Sequence, residues 1–209
     1  MADNSLATAA DYAEALLTAR RARCWLAAIV AAMLLAQMAV FFAARFTAAV
    51  VPDAAATQPS RSQAIGRLLL EYVVSTSAFL GMASVLVLAA VLLLIVNIML
   101  VGRLIGLSDT IKALLWCVVL AVLVFPWQAL LNSPDYQGTD FRIPGVLYTW
   151  AELTAHARAP WPGVEQKILK WTRFAAFPAA SGLVLLLLYL RSGRGLQLAL
   201  GERRPPADL

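Results

Sequence analysis

The chain has 209 residues, of which 61% are hydrophobic and 14% charged, with a net charge of +5 and a mean hydropathy of +0.75. Soluble domains carry about a quarter charged residues, so this composition excludes a soluble globular protein and points to the lipid bilayer as the chain's surroundings. The basic excess lies beside apolar runs, where anionic headgroups attract it, so no nucleic-acid partner is expected.

Residues 1–22 predict a cytoplasmic amphipathic helix, with Ser5 as its cap and Leu6, Ala9, Ala13, Leu16 and Leu17 at helical spacing. Arg20, Arg21 and Arg23 precede the first apolar run, residues 25–44, which is too long for a signal-peptide core and is expected to be a retained span. An outer segment, 45–78, begins with a loop holding Pro52 and Pro59; from Ala64 the sequence AIGRLLLEYVVSTS predicts a helical extension of the next span. Residues 79–101, FLGMASVLVLAAVLLLIVNIMLV, contain no charge. At about 1.5 Å per residue they suffice for a bilayer core of roughly 30 Å.

Residues 102–110 read as a tight cytoplasmic turn, in which Gly102 or Gly106 can end one helix and Ser108 or Asp109 can cap the next. So short a link predicts an antiparallel hairpin with the third span, residues 111–131. The outer loop 132–173 opens on Asn132-Ser133-Pro134-Asp135 and is expected to hold a short helix lying at the interface, 146–157, and an amphipathic helical lead-in to the fourth span, 164–173, with Trp171 at headgroup level. The fourth span is 174–190, with Pro178 and Gly182 as its weak points, and a cytoplasmic tail, 191–209, closes with Arg203-Arg204-Pro205-Pro206.

The expected fold is therefore all-α. It is a polytopic integral membrane protein with a single membrane domain of four transmembrane helices in a bundle, an antiparallel hairpin of the second and third spans, and a partly helical outer loop. Lysine and arginine placement sets the orientation. Arg20, Arg21, Arg23, Arg103, Lys112, Arg191, Arg194, Arg203 and Arg204 fall on one side; Arg45, Arg61, Arg67, Arg142, Arg158, Lys167, Lys170 and Arg173 fall on the other. The totals nearly balance, but the first three spans each carry the denser flank on the first side, which predicts N-in, C-in. Lys167, Lys170 and Arg173 oppose that reading at the fourth span. The alanine, leucine and arginine bias suggests a GC-rich bacterial genome, hence a bacterial cytoplasmic membrane.

Chemistry has few carriers. The polar residues inside the spans are Gln37, Ser84, Asn97, Gln128 and Ser181, none of them ionisable, which argues against ion-coupled transport by one subunit. Gln37 and Asn97 are expected to be interhelical hydrogen-bonding amides. Ala28, Ala32, Ala36, Ala39 and Ala43 form a small-residue stripe on the first span that lets another helix approach. Phe125-Pro126-Trp127-Gln128 and Pro178 with Ser181-Gly182 predict kinks, a feature that also frames transport sites.

In the outer loop Asp135, Asp140, Glu152 and the lone His156 are the acid–base candidates; Glu152 and His156 are four apart and would share a helix face, and the preferred reading is a solvated polar face. Cys24 and Cys117 are expected to be reduced packing residues. No motif for a metal, nucleotide, haem or acyl-transfer chemistry is present, so no catalytic, cofactor or metal residue is assigned. The expected function is a non-catalytic structural, scaffolding or accessory subunit that packs with a partner membrane protein or with its own copies. A small transporter, permease component or channel stands second, and a membrane-surface enzyme third.

Overall fold

A computed structural model describes residues 2–46, 61–125, 146–157 and 163–202, with side chains at 10–46, 65–125, 146–150, 152–154 and 163–202. All regular structure among these residues is helical: α1 (Ala2–Phe46), α2 (Arg61–Val101), α3 (Leu107–Val124), α4 (Trp150–Ala157), α5 (Val164–Trp171), a π turn (Thr172–Ala176) and α6 (Phe177–Ala199). Four stretches, Ala10–Phe46, Ile65–Val101, Leu107–Val124 and Val164–Ala199, are long and apolar enough to cross a membrane. The chain has the build of a multi-pass membrane protein.

Several boundaries differ from the sequence reading. The expected N-terminal helix and first span are one helix of 45 residues, because no glycine or proline interrupts the alanine-rich junction at residues 20–25. Ser5 is inside that helix and does not cap it. The C-terminus of α2 is a Schellman turn. Leu104 N–H donates to Met99 O at 2.9 Å and Arg103 N–H to Leu100 O at 3.3 Å. The left-handed residue is Arg103, φ 50°, and not Gly102; Gly106, φ 98°, has the second positive φ of this link. Helix α3 starts at Leu107, so Ser108 and Asp109 belong to its first turn, where an aspartate suits the helix dipole.

Helix α3 runs to Val124, and residues 126–131 of the expected span lie outside the described residues. Phe125 precedes Pro126, and the residue before a proline avoids the helical region. Pro126, Trp127 and Gln128 lie outside the described residues. The fourth span continues to Ala199, past the expected end at residue 190. It also runs through Pro178, whose ring would clash with the carbonyl four residues back. The π turn just before it, closed by Phe177 N–H on Thr172 O, widens the helix at that point and lets it continue.

Each long helix buries a narrow stripe at steps of three or four residues. On α1 the stripe is Leu16, Ala19, Arg23, Ala27, Val30, Leu34, Gln37, Phe41 and Ala44. On α2 it includes Val74, Ser77, Ser84, Leu88, Leu92, Ile95 and Met99; on α3 Thr110, Ala113, Cys117, Leu120 and Val124; on α6 Ser181, Leu185, Leu188, Ser192 and Leu196. Hydroxyl-bearing residues of the stripes face inward among the buried apolar ones, while other large apolar side chains, such as Leu35, Phe79, Leu115 and Leu183, are more than 60% exposed. Polar side chains turned inward and large apolar ones left exposed suit helices bathed in hydrocarbon.

The chain divides into two compact units. One comprises the described parts of Met1–Ile29, Ser84–Ala121 and Leu183–Leu209; the other comprises those of Val30–Ala83 and Val122–Gly182. In the first unit α3 and α6 touch backbone to backbone. A Cβ on Gly195 would fall 2.3 Å from Thr110 Oγ1 and 3.0 Å from Gly106 O, so only glycine fits. In the second unit a core of Val40, Phe41, Ala44, Val74, Tyr148, Trp150, Leu153 and Phe174 surrounds the segment that leads into α4.

Candidate functional site

The polar chemistry of the second unit converges on residues 146–153. Thr149 caps α4: its Oγ1 accepts the N–H of Glu152 at 3.3 Å, the donor half of a Thr-x-x-Glu capping box. Tyr148 before the cap and Leu153 in the first turn are both buried in the same core, as a hydrophobic staple requires. This local geometry turns the Glu152 side chain inward, where it meets Arg173 of the π turn.

Arg173 Nε donates to Glu152 Oε1 at 3.0 Å and Nη2 to Oε2 at 3.2 Å. The side chains are only 11% and 14% exposed, so this is a buried two-point ion pair. Nη2 also donates to Leu147 O at 3.2 Å, and Val146 N–H donates to Leu123 O at 2.9 Å near the end of α3. Buried non-helical backbone needs partners for its polar groups; at 146–149 a helix end satisfies the Val146 N–H and an arginine the Leu147 carbonyl.

The surroundings are aromatic. Phe41 stacks on Phe174 at 4.9 Å, Tyr148 meets Phe174 edge-on at 5.3 Å, and Trp171 meets Phe41 edge-on at 5.9 Å. Tyr148 donates its hydroxyl hydrogen to the Gln37 carbonyl. Burial pushes the Tyr148 phenol up beyond its ordinary pKa, so it stays protonated as a donor. Gln37 Nε2 donates to Ser77 Oγ at 2.9 Å, linking α1 to α2. Among the described residues, Arg173 Nη1, Trp150 Nε1 and Gln37 Oε1 have no hydrogen-bond partner.

The first unit holds a second buried arginine. Arg23 Nη1 donates to Ser192 Oγ at 2.8 Å, and Ser192 Oγ in turn donates to Leu188 O at 2.7 Å. The Arg23 guanidinium lies over Tyr189, and Tyr189 Oη is 3.5 Å from Cys24 Sγ. Arg20 pairs with Glu202 at 2.9 Å, and Arg191 approaches Asp109 at 3.7 Å.

The candidates from sequence are dispersed. Glu152 is bound to Arg173 and does not lie on the expected solvated polar face; the His156 side chain, like Asp135 and Asp140, lies outside the described residues. Asn97 is exposed and donates to Leu93 O on its own helix at 3.0 Å. This corrects the expected interhelical bond, because residue 97 falls between the buried positions 95 and 99. Ser84 and Ser181 are buried in their stripes. Ala28, Ala32 and Ala39 are exposed, on the side of α1 away from its buried stripe. Cys24 and Cys117 are free thiols.

Sequence reasoning missed Arg23 and Arg173 as buried groups, since it treated both as flanking charges. The Thr149-Trp150-Ala151-Glu152 box was the available signal for the second, because it fixes the rotation of Glu152. Comparison of the chain with protein-family models, curated proteins and solved structures gives no match.

Proposed function

We propose that this chain is a non-catalytic structural or accessory subunit of a bacterial cytoplasmic membrane. Its four spans form a bundle with both termini inside, α2 and α3 are antiparallel neighbours, and the outward side of α1 meets a partner helix or a second copy. The observation that carries this reading is how its inward polar groups are used. Glu152 and Arg173 tie α4 to the fourth span, Gln37 ties α1 to α2, and Ser192 returns its proton to its own helix. Polar groups committed to holding helices together are the pattern of a packing protein.

Two further features support it. Steps of three and four in every buried stripe suit knobs-into-holes packing with a left-handed crossing. The exposed Ala28, Ala32 and Ala39 leave α1 open to close approach by another helix. The test is purification in mild detergent with mass measurement and identification of co-purifying chains. The proposal expects a stoichiometric assembly heavier than one 22.5 kDa chain; a monodisperse single chain contradicts it.

A permease component is the second reading, favoured by one observation. The π turn that holds Arg173 is a feature common at functional sites, and in that unit Arg173 Nη1 and Gln37 Oε1 have no hydrogen-bond partner among the described residues. Solute flux in proteoliposomes that disappears in Arg173→Met would support this reading over the first.

A further inference from the structure

In the second unit a groove of about 710 Å³ follows the fourth span from α5 through the π turn into α6. Small-molecule sites have volumes of about 300–1,000 Å³, so it can hold a ligand of that size. Met38 of α1 forms one wall; on the span itself Lys167 and Trp171 line one end, and Thr172, Ala176 and Ala179 lead to the other. The α5 end carries the charge, and the α6 end is floored by small side chains. At about 1.5 Å per residue, Lys167 and Ala179 are roughly 18 Å apart along the axis. That is close to the depth of one leaflet, half of a hydrocarbon core of roughly 30 Å.

The charged end is cationic. Lys167 is exposed and has no ion-pair partner among the described residues. Lys170, almost one turn on, is close enough to Arg45 of α1 for the two charges to repel. Glu165 is the one acid of α5 and does not line the groove, while Glu152 is held by Arg173. Trp171 lies between the lysines and the alanines, the place an indole takes at a headgroup boundary. No residue of α5 is buried, so the described chain leaves this trough open.

We propose that the groove holds one anionic phospholipid. Its phosphate sits at Lys167, in the field of Lys170 and Arg45, and one acyl chain lies on Ala176 and Ala179 against Met38. A lipid fits where a free anion does not, because the trough continues past the lysines into an apolar bed one leaflet deep. An anionic headgroup fits where phosphatidylcholine does not, because a choline would add a positive charge to three already gathered there.

Native mass spectrometry of the detergent-purified chain, titrated with phosphatidylglycerol or phosphatidylcholine, is the test. One phosphatidylglycerol is expected to bind at least about tenfold more tightly than phosphatidylcholine, since each basic residue near a headgroup is worth about fivefold. Lys167→Gln lowers that preference by about fivefold. Ala179→Leu, at an exposed position, fills the bed, keeps every charge and loses both lipids. Arg67→Gln, which removes an exposed arginine of α2, leaves both affinities unchanged, and glycerophosphoglycerol, the same headgroup without chains, does not compete. The proposal is overturned by equal affinity for the two lipids, by a preference unchanged in Lys167→Gln or equally reduced in Arg67→Gln, by full binding in Ala179→Leu, or by competition from the chainless headgroup.

Discussion

Replacing Glu152 by leucine exposes what the buried pair contributes. The change leaves Arg173, whose side chain is 11% exposed, with the Leu147 carbonyl as its one hydrogen-bond partner among the described residues. Stranding one member of a buried pair costs about 3–5 kcal/mol, which for a chain of this size lowers the unfolding temperature by about 6–20 °C. Arg173→Met alone costs a similar amount, because it strands the carboxylate and also frees the Leu147 carbonyl. The double variant removes both charges and fills the space with apolar groups, which on its own is near neutral. The carbonyl remains unbonded, however, at about 1–3 kcal/mol. The expected coupling in a double-mutant cycle is therefore well above 1 kcal/mol, with a residual deficit that identifies the Leu147 contact. The assay is reversible unfolding in detergent followed by circular dichroism. Single-variant losses below about 1 kcal/mol, the range of a surface pair, would refute the reasoning.

Gly195→Ala places a methyl 2.3 Å from Thr110 Oγ1 and 3.0 Å from a backbone carbonyl; it is expected to cost about 1–3 kcal/mol in the same assay, whereas Gly182→Ala, with nothing within 4 Å, is tolerated. Arg103→Gly relieves a left-handed non-glycine residue at a helix end and is expected to stabilise the chain by up to about 1 kcal/mol; a loss would show that the arginine side chain contributes more than the strain costs. The raised pKa of Tyr148 means that the unfolded chain ionises first. Its contribution is constant below about pH 10 and declines above it, so stability measured from pH 8 to pH 11 should fall less steeply in Tyr148→Phe.

The helices were legible because hydrocarbon length and helical periodicity act locally. The charge-free run 79–101 and its extension past Ala64 both lie in α2, Arg61–Val101. Element ends were less so, because they depend on single backbone choices: Arg103 took the left-handed position that a glycine was expected to fill, and a π turn carried the fourth span past Pro178. The two buried arginines were hidden for a different reason. An arginine at the edge of an apolar run looks like a flanking charge, and only the rotation of its helix decides whether it faces headgroups or protein. Position 23 falls on the three-and-four stripe of Ala27, Val30 and Leu34, which the sequence carried but which was read from the alanines of the opposite side.

The most direct test of the proposed role is disulfide crosslinking in native membranes, in a chain whose Cys24 and Cys117 are changed to alanine. Cysteine at Ala32, on the exposed side of α1, is expected to trap an intermolecular product, and cysteine at the buried Leu34 is not. Absence of any adduct from Ala28, Ala32 and Ala39 would contradict a packing subunit that uses this helix.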